Sequence, residues 1–203
     1  ALISQAVGRN DQEHANLIFN QSLVLSALCA VITLLGGYLF AESYLRSITA
    51  DEAALSEGLT FLFWFLPGMA LQFAMMAMAS SLRATGIVTP TMIVQVLTVV
   101  LNTILAPILI AGWGPGPALG VLGAGLASSI SITVGVGLLT LYFFKLEKYV
   151  SFDPSLWRPR FDIWKKMMDI GLPAGGEMLI LFVYFSAVYW LIQDFGAVAQ
   201  AGF

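Results

Sequence analysis

Charge is what this sequence lacks most. Asp, Glu, Lys and Arg make up 10% of its 203 residues, where soluble proteins carry about 25%. Such a chain has too much apolar surface to be disordered. Cysteine is nearly missing as well: Cys29 stands alone, so a disulfide scaffold is excluded. Nine Lys and Arg against twelve Asp and Glu provide no basic field for nucleic acid. His14 is the only histidine and has no ligand pattern around it. No phosphate-binding glycine loop, metal constellation or nucleophile–base pair is present, so neither an ATP-driven motor nor an enzyme is expected, and no cofactor. What remains is apolar: 59% hydrophobic residues and a mean hydropathy of +0.87. The chain reads as an integral membrane protein.

The gaps between charges locate the spans. No Asp, Glu, Lys or Arg lies between His14 and Glu42, or between Glu57 and Arg83. None lies from Ala84 to Phe144 either, a run too long for one crossing at about 20 residues per helix. Gly112-Trp113-Gly114-Pro115-Gly116-Pro117 divides that run, because proline and glycine end a helix and turn the chain. A last gap runs from Ile170 to Gln193, interrupted by Glu177. Five helices are therefore expected near 17–40, 59–82, 91–111, 118–144 and 169–193. Continuous apolar runs, rather than short alternating ones, exclude a membrane β-barrel. The fold class is all-α, a polytopic transmembrane helical bundle.

The loops alternate in charge. Arg9, Arg83, Lys145, Lys148, Arg158, Arg160, Lys165 and Lys166 fall on one side of the bilayer; Arg46 shares the other with Glu42, Asp51, Glu52 and Glu57. The positive-inside rule places the basic side in the cytoplasm. Ala1–Val7 looks like the tail of an earlier helix, and the odd helix count with ragged ends suggests a piece of a longer protein.

Several residues inside the spans invite a function. The fourth span carries Gly116, Gly120, Ala124 and Ser128 at intervals of four, beside Gly123, Ala127, Ser131 and Gly135. Such rows let helix backbones approach closely, as static packing or as a sliding contact. Pro67 and Pro107 each remove a backbone hydrogen bond within a span, and with Pro173 are candidate kinks or gates. Met69, Met75, Met76 and Met78 share the second span with Phe61, Phe63, Trp64, Phe65 and Phe73. Methionine and aromatic side chains accept varied apolar cations by dispersion and cation–π attraction, although such a stripe also suits core or lipid. Asn102, one turn before Pro107, is placed to satisfy a freed carbonyl or to line a polar cavity; Gln72 and Gln95 are similar, with interhelical hydrogen bonds favoured for both. Met69, Gln72, Met76, Asn102 and Tyr184 make up the candidate substrate cavity. Trp113 and Trp190 suit interfacial anchoring. Trp157, Phe161, Trp164 and Met168, flanked by basic residues, form an amphipathic pattern for an anionic leaflet, with Asp162 as an expected N-cap.

Glu177 is the sharpest signal. It lies four residues after Pro173, two turns into the fifth expected span. A carboxylate there costs roughly 2.5–3.5 kcal/mol unless it faces a cavity or a partner, so it is a functional candidate. Burial would raise its pKa and fit it for proton exchange. The alternative is a shallow position from which it snorkels to the interface.

With these segments in place, the chain resembles the multidrug and toxic compound extrusion (MATE) family. Leu82-Arg83-Ala84-Thr85-Gly86 with Pro90 and Met92 is similar to the family's loop before a Pro-Met helix start. Leu101-Asn102 through Pro107 to Leu119-Gly120-Val121-Leu122-Gly123-Ala124-Gly125-Leu126-Ala127 is a second likeness. Ile170-Gly171-Leu172-Pro173 resembles the opening of the family's seventh helix, with Glu177 where many members carry Glu. Ser4-Gln5-Ala6-Val7-Gly8 looks like the end of the second. The resemblance implies part of a twelve-helix, two-lobe transporter. Residues 1–144 would belong to the N-terminal lobe, 145–168 to a cytoplasmic connection and 169–203 to the first helix of the other lobe. It implies export of organic cations by alternating access, coupled through Glu177 to sodium or protons, from a monomer in the bacterial inner membrane. Departures exist: Ala106 stands where many members have Asp, and Ile87 and Val88 replace polar loop residues. A lipid-linked oligosaccharide flippase or a non-transporting scaffold are the alternatives. The former would require cationic side chains at membrane depth, and these spans have none.

Overall fold

The computed structural model describes residues 1–48, 51–113, 117–147 and 149–192. Among them there is no strand. Six α-helices follow in order: α1 (Leu2–Gly8), α2 (Gln12–Ile48), α3 (Glu52–Ala84), α4 (Thr89–Ala111), α5 (Val121–Lys145) and α6 (Phe161–Ile192), with one 3-10 turn at Pro154–Leu156. The five long helices, α2 to α6, are long and apolar enough to cross a membrane, as the charge gaps predict. Their ends lie further out than the apolar runs, because polar side chains complete the first and last turns. Asp11 Oδ1 accepts from the His14 backbone N–H at 3.0 Å, and Asp51 Oδ1 from Ala53 N–H at 3.1 Å, capping the amides that a helix start leaves free.

The chain divides into two compact units, Ala1–Pro159 and Arg160–Phe203. In the first, α5 packs against both α3 and α4, while α3 packs against α2, and α1 lies on α2. What permits this is the absence of side chains at chosen points on α5. A Cβ on Gly123 would stand 2.5 Å from the Leu109 carbonyl oxygen of α4. One on Gly125 would stand 2.8 Å from the Phe61 carbonyl oxygen of α3. The row Gly123, Ala127, Ser131 and Gly135 is buried throughout. The row thus packs closely, as both readings of it require. Of the neighbouring row, Gly120 precedes α5 with φ 56°, and Gly116 lies outside the described residues.

The expected break after α4 is present: Gly112 takes a left-handed φ of 69°, which glycine adopts without steric cost. Leu119 N–H and Gly120 N–H then donate to the Leu109 and Ile110 carbonyls, at 2.9 and 3.1 Å. The returning chain thereby satisfies acceptors the end of α4 leaves open. Gly114, Pro115 and Gly116 within that break lie outside the described residues, as do Lys148 and the Trp190 side chain.

At 37 residues, α2 is about 55 Å long, well beyond the roughly 30 Å of hydrocarbon. Its first turns use the excess to hold the segment that follows α5. Asn20 Nδ2 donates to the Ser151 carbonyl at 2.9 Å, and Asn20 Oδ1 accepts from Asp153 N–H at 2.9 Å and from the Trp157 indole at 3.0 Å. Asn16 Oδ1 accepts from Ser151 N–H at 2.8 Å. Gln12 donates to the Tyr149 carbonyl, and Gln21 to those of Leu156 and Arg158, at 3.1, 2.6 and 2.8 Å. Asn20 and Gln21 are fully buried. Beneath this strap, Phe19 stacks on Phe143 with centroids 4.8 Å apart, and Phe152 lies on both rings.

Two local expectations are corrected here. Trp157 is not in one helix with Phe161; a turn and Pro159 separate them, and its indole is committed to Asn20. Asp162 is not the cap of the last helix, since α6 starts at Phe161 and the Arg160 carbonyl accepts from Ile163 and Trp164 N–H. Asp162 instead sits in the first turn, where a carboxylate suits the positive end of the helix dipole.

Candidate functional site

The candidate cavity residues fall into three places. Met69, Gln72 and Met76 recur at three and four residues along α3, so they share a face, and with Phe73 they line an open recess of about 230 Å³. Apart from the Gln72 amide the lining is apolar and polarisable, which suits a hydrophobic cation without fixing one binding pose. Asn102 is half-buried on α4 and donates to Ser128 Oγ of α5 at 3.2 Å, while Ser128 donates onward to the Ala124 carbonyl. It thus bonds across to α5 rather than serving the carbonyl freed by Pro107. Tyr184 lies on α6, exposed and edge-on to Phe185.

Glu177 is on α6 too. That helix runs unbroken from Phe161 through Pro173, which puts Glu177 at its middle rather than near a start. Its side chain is exposed on the unit to which it belongs, and Gly171, Gly175 and Gly176 leave the helix surface around it bare, with nothing within 4 Å of where a Cβ would be. An exposed, mid-helix carboxylate that is the only charged residue from Ile170 to Ile192 needs a polar surrounding once in a bilayer.

The surroundings of Pro67 are the part of the site that sequence reasoning did not foresee. Proline has no N–H for the carbonyl four residues earlier, that of Phe63. Tyr38 of α2 donates its hydroxyl to that carbonyl at 3.0 Å. One residue on, Gly68 N–H would ordinarily bond Trp64 C=O. Ser129 of α5 reaches both of these groups: its Oγ accepts from Gly68 N–H at 3.0 Å and donates to the Trp64 carbonyl at 2.5 Å. Two consecutive rungs of the α3 ladder thus engage hydroxyls from the helices on either side. A Cβ on Gly68 would stand 2.7 Å from Ser129 Cα, so glycine is what admits the serine. The only trace of this in the sequence is the Pro-Gly pair at 67–68.

A larger recess, about 540 Å³, lies under the strap between α2, α3 and α5, walled by Met78, Thr140, Phe144, Phe152 and Trp157 among others. Its lining is aromatic and aliphatic, with the Thr140 hydroxyl turned to Met78 Sδ at 3.7 Å.

The family model MatE matches residues 1–108. The chain belongs to the MATE family. Among curated relatives, it is 26% identical to the probable multidrug resistance protein YoeA of Bacillus subtilis over 100% of its length, and 30% identical to the probable multidrug resistance protein NorM of Streptococcus pneumoniae over 96%. It is also 27% identical over 88% of its length to a protein of Shewanella oneidensis named FAD transporter. A solved structure described as MATE in the bent conformation superposes on 98% of the chain with a TM-score of 0.88 at 25% identity, and the match takes up 44% of that structure. The chain spans less than half the length of these relatives: 44% of YoeA, 43% of NorM and 39% of the FAD transporter. This MATE chain is a multi-pass membrane protein whose family members are transporters.

Proposed function

We propose that the chain forms part of a secondary active exporter that moves organic cations and drugs out of a bacterial cell across its inner membrane. In this reading residues 1–144 belong to the N-terminal lobe, 145–168 to the cytoplasmic connection and 169–203 to the first helix of the second lobe, and the full-length protein works as a monomer. Transport proceeds by alternating access in antiport with sodium or protons. Glu177 exchanges the coupling ion, because a mid-span carboxylate can bind either a cation or a proton and loses its hydration cost when it does. The face of Met69, Gln72, Phe73 and Met76 holds the substrate by dispersion and cation–π contact, and Pro67, Pro107 and Pro173, each inside a continuous helix, are its kink or gate points. No organic cofactor takes part.

The observation that carries the reading is that recess on α3: methionine and aromatic side chains with one amide and no fixed charge, in a chain of this family. The relative named FAD transporter favours a second reading, an anionic dinucleotide as cargo. Diphosphate groups would call for Lys or Arg at membrane depth. Among the described residues of α2 to α5, Arg46, Arg83 and Lys145 lie in last turns, which favours the cation.

The test uses the full-length protein in everted vesicles, with sodium and proton gradients imposed separately. A fluorescent organic cation should move with one gradient in the wild type and stop moving in Glu177→Gln. FAD movement without cation movement would replace the first reading with the second, and movement of neither would overturn both.

A further inference from the structure

The two hydroxyls at the α3 break serve more than local satisfaction. Met69, Gln72, Phe73 and Met76 begin two residues after Pro67, so the direction in which this face points depends on how the chain leaves the break. A helix broken by proline without other support has a missing rung and two segments free to pivot about it. Here the segment before the break is tied to α2 through Tyr38, and the one after it to α5 through the Gly68–Ser129 bond. Ser129 also spans the break itself, since the same oxygen holds Gly68 on one side and Trp64 on the other. Gly68 and Leu66 are buried, and a Cβ on Gly68 would strike the α5 backbone, so the serine is wedged in place by packing as well as by hydrogen bonds.

We propose that Ser129 is a positioning residue for transport: by bridging Trp64 and Gly68 it fixes the direction of the Met69–Met76 face of α3, with Tyr38 holding the other end of the break. Pro67 is then a braced joint and not a gate. The inference rests on the reading of that face as the substrate surface, and the experiment separates the two.

Two measurements on the full-length protein decide it. In the first, Gln72→Cys is placed in a background without other reactive cysteines, and its labelling rate by a soluble maleimide is compared with Ser129 intact, as Ser129→Ala and as Ser129→Thr. Amide exchange over 64–72 is followed in parallel. Ser129→Ala should raise exchange at the Gly68 amide about fivefold or more, as loss of a single hydrogen bond implies, and change the labelling rate of the cysteine. Ser129→Thr, which keeps the hydroxyl, should restore both, and Tyr38→Phe, which removes a donor to a carbonyl and frees no amide, should leave exchange at Gly68 unchanged. The second measurement is uptake of two organic cations of different size. Ser129→Ala should shift their KM values unequally, with a smaller change in maximal rate per folded protein, and Ser129→Thr should return them. Unchanged exchange and labelling in Ser129→Ala overturn the proposal whatever transport does. Raised exchange with labelling unchanged overturns it as well, leaving the bridge a packing feature. If labelling responds but the wild type moves no cation under any gradient, the bridge stands and the assignment of the face to substrate fails.

Discussion

At the scale of single residues, the structure depends on amides and hydroxyls placed where an apolar chain would otherwise leave backbone groups without partners. Asn20 is the extreme case: fully buried, it donates to two carbonyls, of Asn16 and Ser151, and accepts from Asp153 and from Trp157. Removing it strands these groups, and each buried group left unsatisfied costs about 1–3 kcal/mol. Asn20→Ala should lower the melting temperature of the detergent-purified full-length protein by several degrees, red-shift the Trp157 emission as the indole loses its partner, and expose 149–158 to proteolysis. Asn20→Asp keeps the acceptor but sets a carboxylate against two carbonyl oxygens, so it should be no better tolerated. Melting curves and limited digestion check both. The resemblance and the periodicity gave no hint of this cluster, because its partners are separated by 131 to 137 residues. What the sequence does display is Gln12, Asn16 and Asn20 at intervals of four, a polar stripe at the head of a helix that carries no charge from Ala15 to Ala41.

At the scale of elements, close approach is governed by which glycines face a neighbour. Gly123 sits against the α4 backbone, whereas Gly137, on the same helix, has nothing within 4 Å of its missing Cβ. Gly123→Ala must therefore push α5 off α4 and should destabilise by about 1–3 kcal/mol, the usual cost of overpacking. Gly137→Ala should be neutral or slightly stabilising, as the change removes backbone freedom without a clash. Thermal denaturation of the two variants side by side gives the answer, and equal losses would mean that helix propensity, not contact, sets the effect. The helices themselves were legible from charge alone: runs without Asp, Glu, Lys or Arg match α2 to α5, and Gly112 ends α4 where the prolines and glycines begin. Their ends were not, because capping by Asp11 and Asp51 and the polar first turns of α2 lie outside any apolar pattern. Trp157 and Asp162 misled for a related reason. Residues at helical spacing form a helix only if the backbone between them permits it, and Pro159 interrupts that stretch. Ser129 was invisible as a bridge, since one serine among many in α5 acquires its role from the Pro-Gly pair of another helix.

At the scale of the molecule, charge asymmetry orients the chain. Arg46, in an ion pair with Glu42 at 3.0 Å and with Glu52 at 3.1 Å, is a lone cation at the end of the bundle opposite to the strap. Its positive charge is locally neutralised there, so it opposes the cytoplasmic bias of the other eight Lys and Arg less than a free one would. In intact cells, single cysteines replacing Ser47 or Ser56 should react with an impermeant maleimide from outside, and one replacing Ser155 only after permeabilisation. The reverse pattern would invert the topology. The amide clamp has a further consequence, for the order of assembly. Its donors emerge with the first turns of α2, but their acceptors, at 149–158, do not exist until α5 has been made and its Phe143 can meet Phe19. Contacts between parts so distant in sequence form only after the chain between them is in place. Latching of the strap is thus a completion signal: until α5 and the segment after it have been made, four carboxamides at the head of α2 wait in water, and a mistake in any intervening helix leaves them unlatched where proteases and chaperones can find them.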